Sequence, residues 1–214
     1  MSSPPLDILI CEDHELVREG LKTVLVQGGV AREVGEAATA AEVLAQARRR
    51  RWHVVILDIN LGNRSGVEVL KDLKAEFPAL PVLILSSYPE EQFAVRALRA
   101  GASGYVNKGQ AARVLVGAVT VVAAGGRYVS PKVAELLADL VVKPADRPPH
   151  TTLSDREDEV FRLIAAGSTV GEIAKRLHLS VKTVSTYRSI VLRKLGLANK
   201  AQIMRYAQDR GLGE

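Results

Sequence analysis

Short apolar runs alternate with amphipathic helical stretches through the first 124 residues of the chain. Two runs, Val54–Leu57 and Val82–Leu85, are apolar at consecutive positions, which is typical of strands covered on both faces. The five runs are Asp7–Cys11, Arg32–Glu36, His53–Leu57, Val82–Leu85 and Gly104–Val106. The helical patterns lie near residues 15–27, 39–50, 66–77, 90–100 and 111–124. Strand–helix repeats of this length predict an α/β domain, with a five-stranded parallel sheet wrapped by helices.

The chain after this unit reads as a connection followed by a second domain. Gly125 and Gly126 end the first unit, and a short helix is predicted from Pro131 to about Val142. The stretch 143–150 contains three prolines and reads as a linker. We therefore predict a first domain over 5–124, a linker with a short helix over 125–150, and a second domain over 151–214.

The second domain has the start signals of four helices. Ser154 with Glu157, and Thr169 with Glu172, form capping boxes that open the first two helices. Ser180 caps a third helix that runs to about Leu195 and follows the second after a tight turn. Asn199 begins the fourth helix. This order predicts a small all-α domain built around a helix-turn-helix.

Charge and composition restrict the function further. The net charge of the 214-residue chain is +5, and +4 of it lies between His150 and Glu214, as expected if this part meets a polyanion. Cys11 is the only cysteine, which excludes an internal disulfide and a zinc site built from cysteines. Apolar runs are too short for a membrane helix, and acids follow the first run directly, unlike a signal peptide. We expect a cytoplasmic protein with no membrane partner.

Polar side chains follow four of the five predicted strands at the points where these strands end. They are Glu12 and Asp13, Asp58, Ser86, and Lys108. Because parallel strands end at one edge of a sheet, we expect these side chains to share a pocket. Each has an ordinary explanation as a cap, a turn residue or a surface charge, but their joint occurrence favours a site. Clustered carboxylates suit Mg²⁺, Asp58 would attack a phosphoryl group, and Lys108 and Ser86 would orient it.

The first domain resembles the receiver domains of response regulators, which have a flavodoxin-like sheet. The similarity rests on the strings Cys11-Glu-Asp-His14, Val54-Val-Ile-Leu-Asp-Ile-Asn60, Leu83-Ile-Leu-Ser-Ser87 and Gly104-Tyr-Val-Asn-Lys108. The resemblance implies that Asp58 accepts phosphate and that Glu12, Asp13, Asp58 and the carbonyl of Asn60 hold Mg²⁺. It also implies that Ser86 and Tyr105 are switch residues, with Tyr105 turning inward on phosphorylation. Gly62-Asn63-Arg64 and Gly109-Gln110 depart from the usual family pattern.

The third helix of the second domain has an apolar and a polar side. We expect its apolar residues to face the core; they are Val181, Val184, Val191, Leu192 and Leu195. Hydroxyls and cations on the remaining surface suit contacts with phosphates and base edges. An exposed polar face with no ligand is the alternative reading.

The second domain also resembles the LuxR-type (NarL/FixJ) helix-turn-helix. The matching strings are Leu153-Ser-x-Arg-Glu157, Gly171-Glu-Ile-Ala174, Lys182-Thr-Val-Ser-Thr-Tyr-Arg188 and Lys194-Leu-Gly-Leu-x-Asn-Lys200. The resemblance implies phosphate contacts from Lys182, Thr183, Tyr187 and Lys194. It implies that Ser185, Thr186 and Ser189 lie closest to base edges. It also implies a dimer contact on the last helix, formed by Ala201, Ile203, Met204 and Tyr206.

The sequence thus predicts a phosphorylation-dependent transcriptional regulator rather than an enzyme. A sensor histidine kinase would donate phosphate, Mg²⁺ would be the cofactor, and the protein would bind double-stranded DNA as a homodimer. We hypothesise that the unphosphorylated receiver partly covers the recognition helix. One alternative is a phosphatase of the haloacid-dehalogenase type, but Asn60 stands where that class needs an acid. The other alternative is a module that senses a small ligand or protein and controls DNA binding without phosphorylation.

Overall fold

The computed structural model describes residues 4–61, 64–88, 90–142 and 149–212. The chain divides into two compact units, Met1–Val142 and Lys143–Glu214. Within the described residues, the helices are too short or too polar to cross a lipid bilayer.

The first unit is built on a sheet of five strands, which are β1 (Leu6–Cys11), β2 (Ala31–Ala37), β3 (Val54–Asp58), β6 (Val82–Ser86) and β7 (Gly104–Asn107). Their order in the sheet is β2–β1–β3–β6–β7, and every neighbouring pair is parallel. A two-stranded hairpin, β4 (Asn60–Leu61) and β5 (Arg64–Ser65), follows β3. The predicted parallel sheet is confirmed, and each of its strands begins and ends within one residue of its predicted bounds.

Helices cover both faces of this sheet. They are α1 (Glu15–Gln27), α2 (Ala40–Arg49), α3 (Gly66–Glu76), α4 (Glu90–Arg99), α5 (Ala111–Ala123) and α6 (Pro131–Val142). The consecutive apolar residues of β3 are divided between the two faces. Val55 and Leu57 pack on the face with α2, α3 and α4, whereas Val54 and Ile56 pack on the face with α1 and α5. This division explains why the apolar run of the strand is unbroken, since neither face meets water.

The segment that follows α5 packs on the first unit, which departs from the predicted linker over 125–150. The N–H of Tyr105 donates to the carbonyl of Tyr128 over 3.2 Å, and the N–H of Tyr128 donates to the carbonyl of Ser103 over 3.0 Å. Val133 of α6 is fully buried in the core that also contains Phe93. The departure arises because the helix at 131–142 has an apolar face that the core covers. Of the predicted linker, residues 143–148 lie outside the described residues.

Over residues 149–212, the second unit contains four α-helices, as predicted, after a short 3-10 helix at Pro149–Thr152. They are α7 (Asp155–Ala165), α8 (Val170–Arg176), α9 (Val181–Leu195) and α10 (Lys200–Gln208). Both predicted capping boxes are present, and Ser180 and Asn199 cap α9 and α10. The short connection between α8 and α9 brings them together as a helix-turn-helix, in which the second helix is the one that enters a major groove.

One residue of α9 does not face the core as predicted. Val184, Val191 and Leu195 are buried and Leu192 is half-buried, but Val181 is 57% exposed. Val181 is the first residue of α9, directly after the N-cap. The core position of this first turn is taken by Val184.

Candidate functional site

Lys108 joins the two most deeply buried carboxylates at the carboxyl edge of the sheet. Its Nζ lies 2.9 Å from Oδ2 of Asp58 and 2.6 Å from Oε2 of Glu12. Asp58 is the last residue of β3, Glu12 directly follows β1, and Lys108 directly follows β7. Asp58 is 3% exposed and Glu12 is fully buried. The structure therefore brings together residues from three separate strand ends, at the edge where the sequence predicted them.

This environment changes the proton affinities of the charged groups. Burial, together with the charge of Glu12, raises the pKa of Asp58 to about 7, although Lys108 opposes the shift. Burial by itself would lower the pKa of Lys108, but the hydrogen bonds and charges of Asp58 and Glu12 outweigh it, so that this pKa is raised. Lys108 therefore stays charged and favours the ionised form of Asp58.

Asp13 and His14 extend the acidic cluster toward the surface. One ligand atom each from Glu12, Asp13 and His14 lie within 4.8 Å of one another. Nδ1 of His14 is 2.7 Å from Oδ1 of Asp13 and 3.2 Å from Oε1 of Glu12. The charge of Asp13, followed by its hydrogen bond, raises the pKa of the His14 imidazole. Sequence reasoning did not single out His14 as a site residue, although its place directly after two acids was a signal for it.

The donor atoms at this edge are of the kind that hard divalent cations prefer, namely carboxylate and amide oxygens. Asn60 lies two residues after Asp58, and its backbone N–H acts against burial by lowering the pKa of the Asp58 carboxylate. Among the described residues, the buried Oδ1 of Asn60 has no hydrogen-bond partner. A cation with water ligands at this edge would satisfy such an oxygen.

Ser86 and Tyr105 lie on the neighbouring strands β6 and β7. Both are 1% exposed. The hydroxyl of Tyr105 donates to the carbonyl of Tyr88 over 3.0 Å, and the N–H of Tyr88 donates to Oγ of Ser86 over 3.0 Å. The Tyr105 ring is therefore in the inward position that we predicted for the phosphorylated protein. Burial is the main cause of the raised pKa of the Tyr105 hydroxyl.

The exposed side of α9 presents residues that were predicted to meet DNA. Lys182, Ser185, Thr186 and Ser189 are exposed, and Thr183 is half-buried. Two hydroxyls bond the helix backbone: Thr186 donates to the carbonyl of Lys182 over 3.1 Å, and Ser189 donates to that of Ser185 over 3.0 Å. These bonds leave both hydroxyl oxygens with the capacity to accept from a base edge.

Other predicted contact residues have partners within the second unit. Nζ of Lys194 lies 2.6 Å from Oε2 of Glu157, so its charge is already paired with an acid of α7. Tyr187 is half-buried and packs on the core of the unit. Lys194 and Tyr187, which were predicted to contact phosphates, therefore also stabilise the fold of the second unit.

The predicted dimer surface on α10 is only partly at the surface. Ile203 is fully buried in the core of the second unit, so it does not form a surface as predicted. Ala201 and Met204 are exposed and Tyr206 is half-buried. The apolar residues of α10 are divided in this way because they point in several directions around the helix, and only one side of it meets the core.

Two family models match the chain. Residues 8–120 match "Response regulator receiver domain", and residues 151–207 match "Bacterial regulatory proteins, luxR family". The two matched regions correspond to the sheet with its acidic edge and to the four-helix unit.

Relatives and solved structures match along nearly the whole chain. The response regulator GacA of Pseudomonas protegens is 33% identical, with 96% of each chain covered. The response regulator UvrY of Escherichia coli is 29% identical, with 97% of this chain and 95% of the relative covered. A structure of the RcsB response regulator of Salmonella typhimurium is 27% identical with a TM-score of 0.67, covering 97% of this chain and 98% of that one. The chain therefore belongs to the response regulators, in the group that joins a receiver domain to a LuxR-type helix-turn-helix.

Proposed function

We propose that the protein is a DNA-binding transcriptional regulator that is controlled by phosphorylation of Asp58. The observation that carries this proposal is the buried Asp58 carboxylate, held by Lys108 beside Glu12 at the sheet edge. A helix cap lies at the surface, whereas the Asp58 carboxylate is buried beside Glu12 and Lys108. The family to which the chain belongs supports the same assignment.

The proposed reaction is a phosphoryl transfer from a phosphohistidine of a sensor kinase. A carboxylate oxygen of Asp58 attacks phosphorus, the P–N bond breaks, and its electron pair returns to the imidazole nitrogen of the kinase. Lys108 lies within reach of the phosphoryl oxygens, and the Ser86 hydroxyl donates to one of them. The backbone N–H of Asn60 favours the ionised form of the carboxylate that attacks. Asn60 carries no acid that could protonate a leaving group, so we do not expect turnover of phosphomonoesters.

Mg²⁺ is the cofactor that the oxygen donors fit. Glu12, Asp13, Asp58 and the backbone carbonyl of Asn60 would hold it. When bound, it supplies positive charge that reduces the repulsion between the carboxylates and the incoming phosphoryl group. The charge of the neighbouring His14 adds to this effect when the imidazole is protonated.

Ser86 and Tyr105 are the proposed switch. A phosphoryl group on Asp58 adds negative charge and acceptor oxygens at this edge. The Ser86 hydroxyl then turns toward it, and the buried position of Tyr105 is stabilised. Because the Tyr105 ring belongs to the same core as Phe93 of α4, its position affects the packing of that helix.

DNA is the proposed ligand of the second unit. Lys182, Thr183, Tyr187 and Lys194 would contact phosphates, and Ser185, Thr186 and Ser189 would lie nearest to the base edges. Solved structures with 26–27% identity show RcsB bound to the promoter rprA and RcsB dimers bound to DNA. By this likeness we propose a homodimer on double-stranded DNA. Since chromosomal DNA is its target, we place the protein in the cytoplasm.

Labelling of Asp58 tests the first half of the proposal. We expect acetyl phosphate with Mg²⁺ to raise the intact mass of the full chain by one phosphoryl group. Asp58→Asn should abolish the increase. Asp72→Asn, which changes an exposed carboxylate of the same unit, should leave it unchanged. An unlabelled wild-type protein under these conditions would contradict the proposal and favour a module that senses another signal.

DNA binding tests the second half. We expect the phosphorylated protein to bind a DNA duplex, selected from random sequences for binding, more tightly than the Asp58→Asn variant does. The phosphorylated protein should also contain a larger fraction of dimer than this variant. Lys182→Ala should weaken binding to all sequences and reduce the slope of log affinity against log salt by about 0.9. Gln208→Ala, an uncharged change at an exposed position of α10 outside the proposed dimer contact, is the control and should not alter the slope. Equal affinities with and without phosphate would exclude the switch.

A further inference from the structure

Asn107 connects two loops at the phospho-acceptor edge. Its Oδ1 accepts a hydrogen bond from the N–H of Gly109 over 2.9 Å, and its Nδ2 donates to the carbonyl of Tyr88 over 3.1 Å. Gly109 belongs to the short turn that begins with Lys108, and Tyr88 lies in the loop that follows β6. The Asn107 amide thus links the turn that contains Lys108 to the loop that follows Ser86.

The carbonyl of Tyr88 receives a second donor. The Tyr105 hydroxyl donates to this oxygen over 3.0 Å, while the N–H of Tyr88 donates to Oγ of Ser86 over 3.0 Å. In the parallel register of β6 and β7, Ser86 pairs with Asn107. The backbone of residue 88 is therefore attached to Ser86 on one side and to Asn107 and Tyr105 on the other. A change in the position of Ser86 alters its bond to the Tyr88 N–H, and through this residue it can affect the carbonyl that accepts from Asn107 and Tyr105.

We propose that Asn107 is a positioning residue that keeps Ser86 in reach of the phosphoryl group and couples it to Tyr105. This inference rests on the proposed phosphorylation of Asp58. The amide holds the Tyr88 carbonyl in place relative to the Lys108 turn. Because Asn107 and Tyr105 share one acceptor, either of them alone still satisfies it, whereas losing both leaves the carbonyl without these donors.

The experiment uses the full-length protein with Asn107→Ser, Tyr105→Phe and the double variant. Serine is a good cap, so Asn107→Ser should keep the bond to the N–H of Gly109 but is too short to reach Tyr88. Calorimetric titration with Mg²⁺ alone, then with beryllofluoride in the presence of Mg²⁺, separates the cation from the phosphoryl mimic. We expect unchanged Mg²⁺ affinity and beryllofluoride affinity weakened about three- to tenfold in Asn107→Ser. The double variant should lose more than the product of the two single losses.

Gln110→Ala is the matched control, because Gln110 is exposed in the same turn and its side chain makes no capping bond. It should bind both probes as the wild type does. The inference is overturned if Asn107→Ser binds beryllofluoride normally, if the two single losses multiply, or if Mg²⁺ affinity falls by the same factor. A wild-type protein that takes up no beryllofluoride would instead contradict the proposed phosphorylation, and this inference with it.

Discussion

Lys108 balances two buried carboxylates with a single positive charge, so this group of three side chains retains a net negative charge. Residues that suit catalysis or binding often reduce stability for this reason. Burial, followed by the charge of Glu12, raises the pKa of Asp58 to about 7, so that an ionised Asp58 is less favourable in the folded than in the unfolded chain. A further cation at this edge would reduce the repulsion between the carboxylates of Asp58 and Glu12.

We expect Asp58→Asn to stabilise the protein when divalent cations are removed. An acid whose pKa is raised on folding costs stability as the pH rises from its ordinary unfolded value of 3.8 to its folded value of about 7. The gain from the substitution should therefore grow between these values and level off above them at about 4 kcal/mol, since each pKa unit corresponds to about 1.4 kcal/mol. Urea unfolding of both proteins with a chelator, at several pH values, measures it. A gain that is already complete at acidic pH would contradict this explanation.

Secondary-structure elements were predicted well where the sequence carries a local signal. The capping boxes at Ser154 and Thr169 set the starts of two helices, and the apolar run of β3 indicated both the strand and its burial. Elements without periodicity were missed, because strands of two residues such as β4 and β5 show no alternation.

The grouping of Glu12, Asp58 and Lys108 could be predicted because parallel strands end at the same edge of a sheet. His14 was missed because its contacts depend on side-chain directions at the start of α1.

Val181 and Val191 show why the facing of α9 could not be read completely from its apolar residues. Val181 is 57% exposed, whereas Val191 is fully buried. We expect Val191→Ala to cost about 2 kcal/mol of unfolding free energy because it leaves a cavity in the core. Val181→Ala should change stability by less than about 0.5 kcal/mol. Chemical denaturation of both variants compares them, and equal losses would mean that Val181 is also a core residue.

Gly104 allows the backbone near Tyr128 to approach β7 closely. A Cβ on Gly104 would lie 2.7 Å from the carbonyl oxygen of Tyr128 and 2.8 Å from a methyl carbon of Leu83. We therefore expect Gly104→Ala to destabilise the protein by about 1–3 kcal/mol. Gly117→Ala is the control, because that position of α5 has open space around it, and it should stabilise by about 0.5–1 kcal/mol. Thermal or urea unfolding distinguishes them, and a neutral Gly104→Ala would show that the approach has room to relax.

The whole molecule consists of two units whose limits follow packing rather than sequence similarity. The match to the receiver family ends at residue 120, but the first unit continues to Val142. The additional residues contribute backbone pairing at Tyr128 and a fully buried side chain at Val133. From sequence alone, the apolar face of α6 could not be assigned to a partner, because an amphipathic helix after a domain also suits a dimer or a linker.

We expect a fragment of residues 1–142 to be more stable than a fragment of residues 1–124. The longer fragment keeps Val133 in the core, which is worth at least about 2 kcal/mol for one buried valine. Urea unfolding of the two fragments measures the difference. Val133→Ala in the longer fragment should remove part of it, and two fragments of equal stability would show that α6 adds nothing to the unit.

The docking of α6 also matters for anyone who recombines such proteins. A chimera that exchanges receiver domains at the end of α5 would separate Tyr128 and Val133 from the strand and core on which they lie. The new receiver domain would then be followed by a helix whose apolar face fits a different surface. Grafting is expected to preserve signalling when the junction is placed among the prolines beyond Val142, so that the helix travels with the sheet it covers. Natural shuffling of these halves would meet the same constraint.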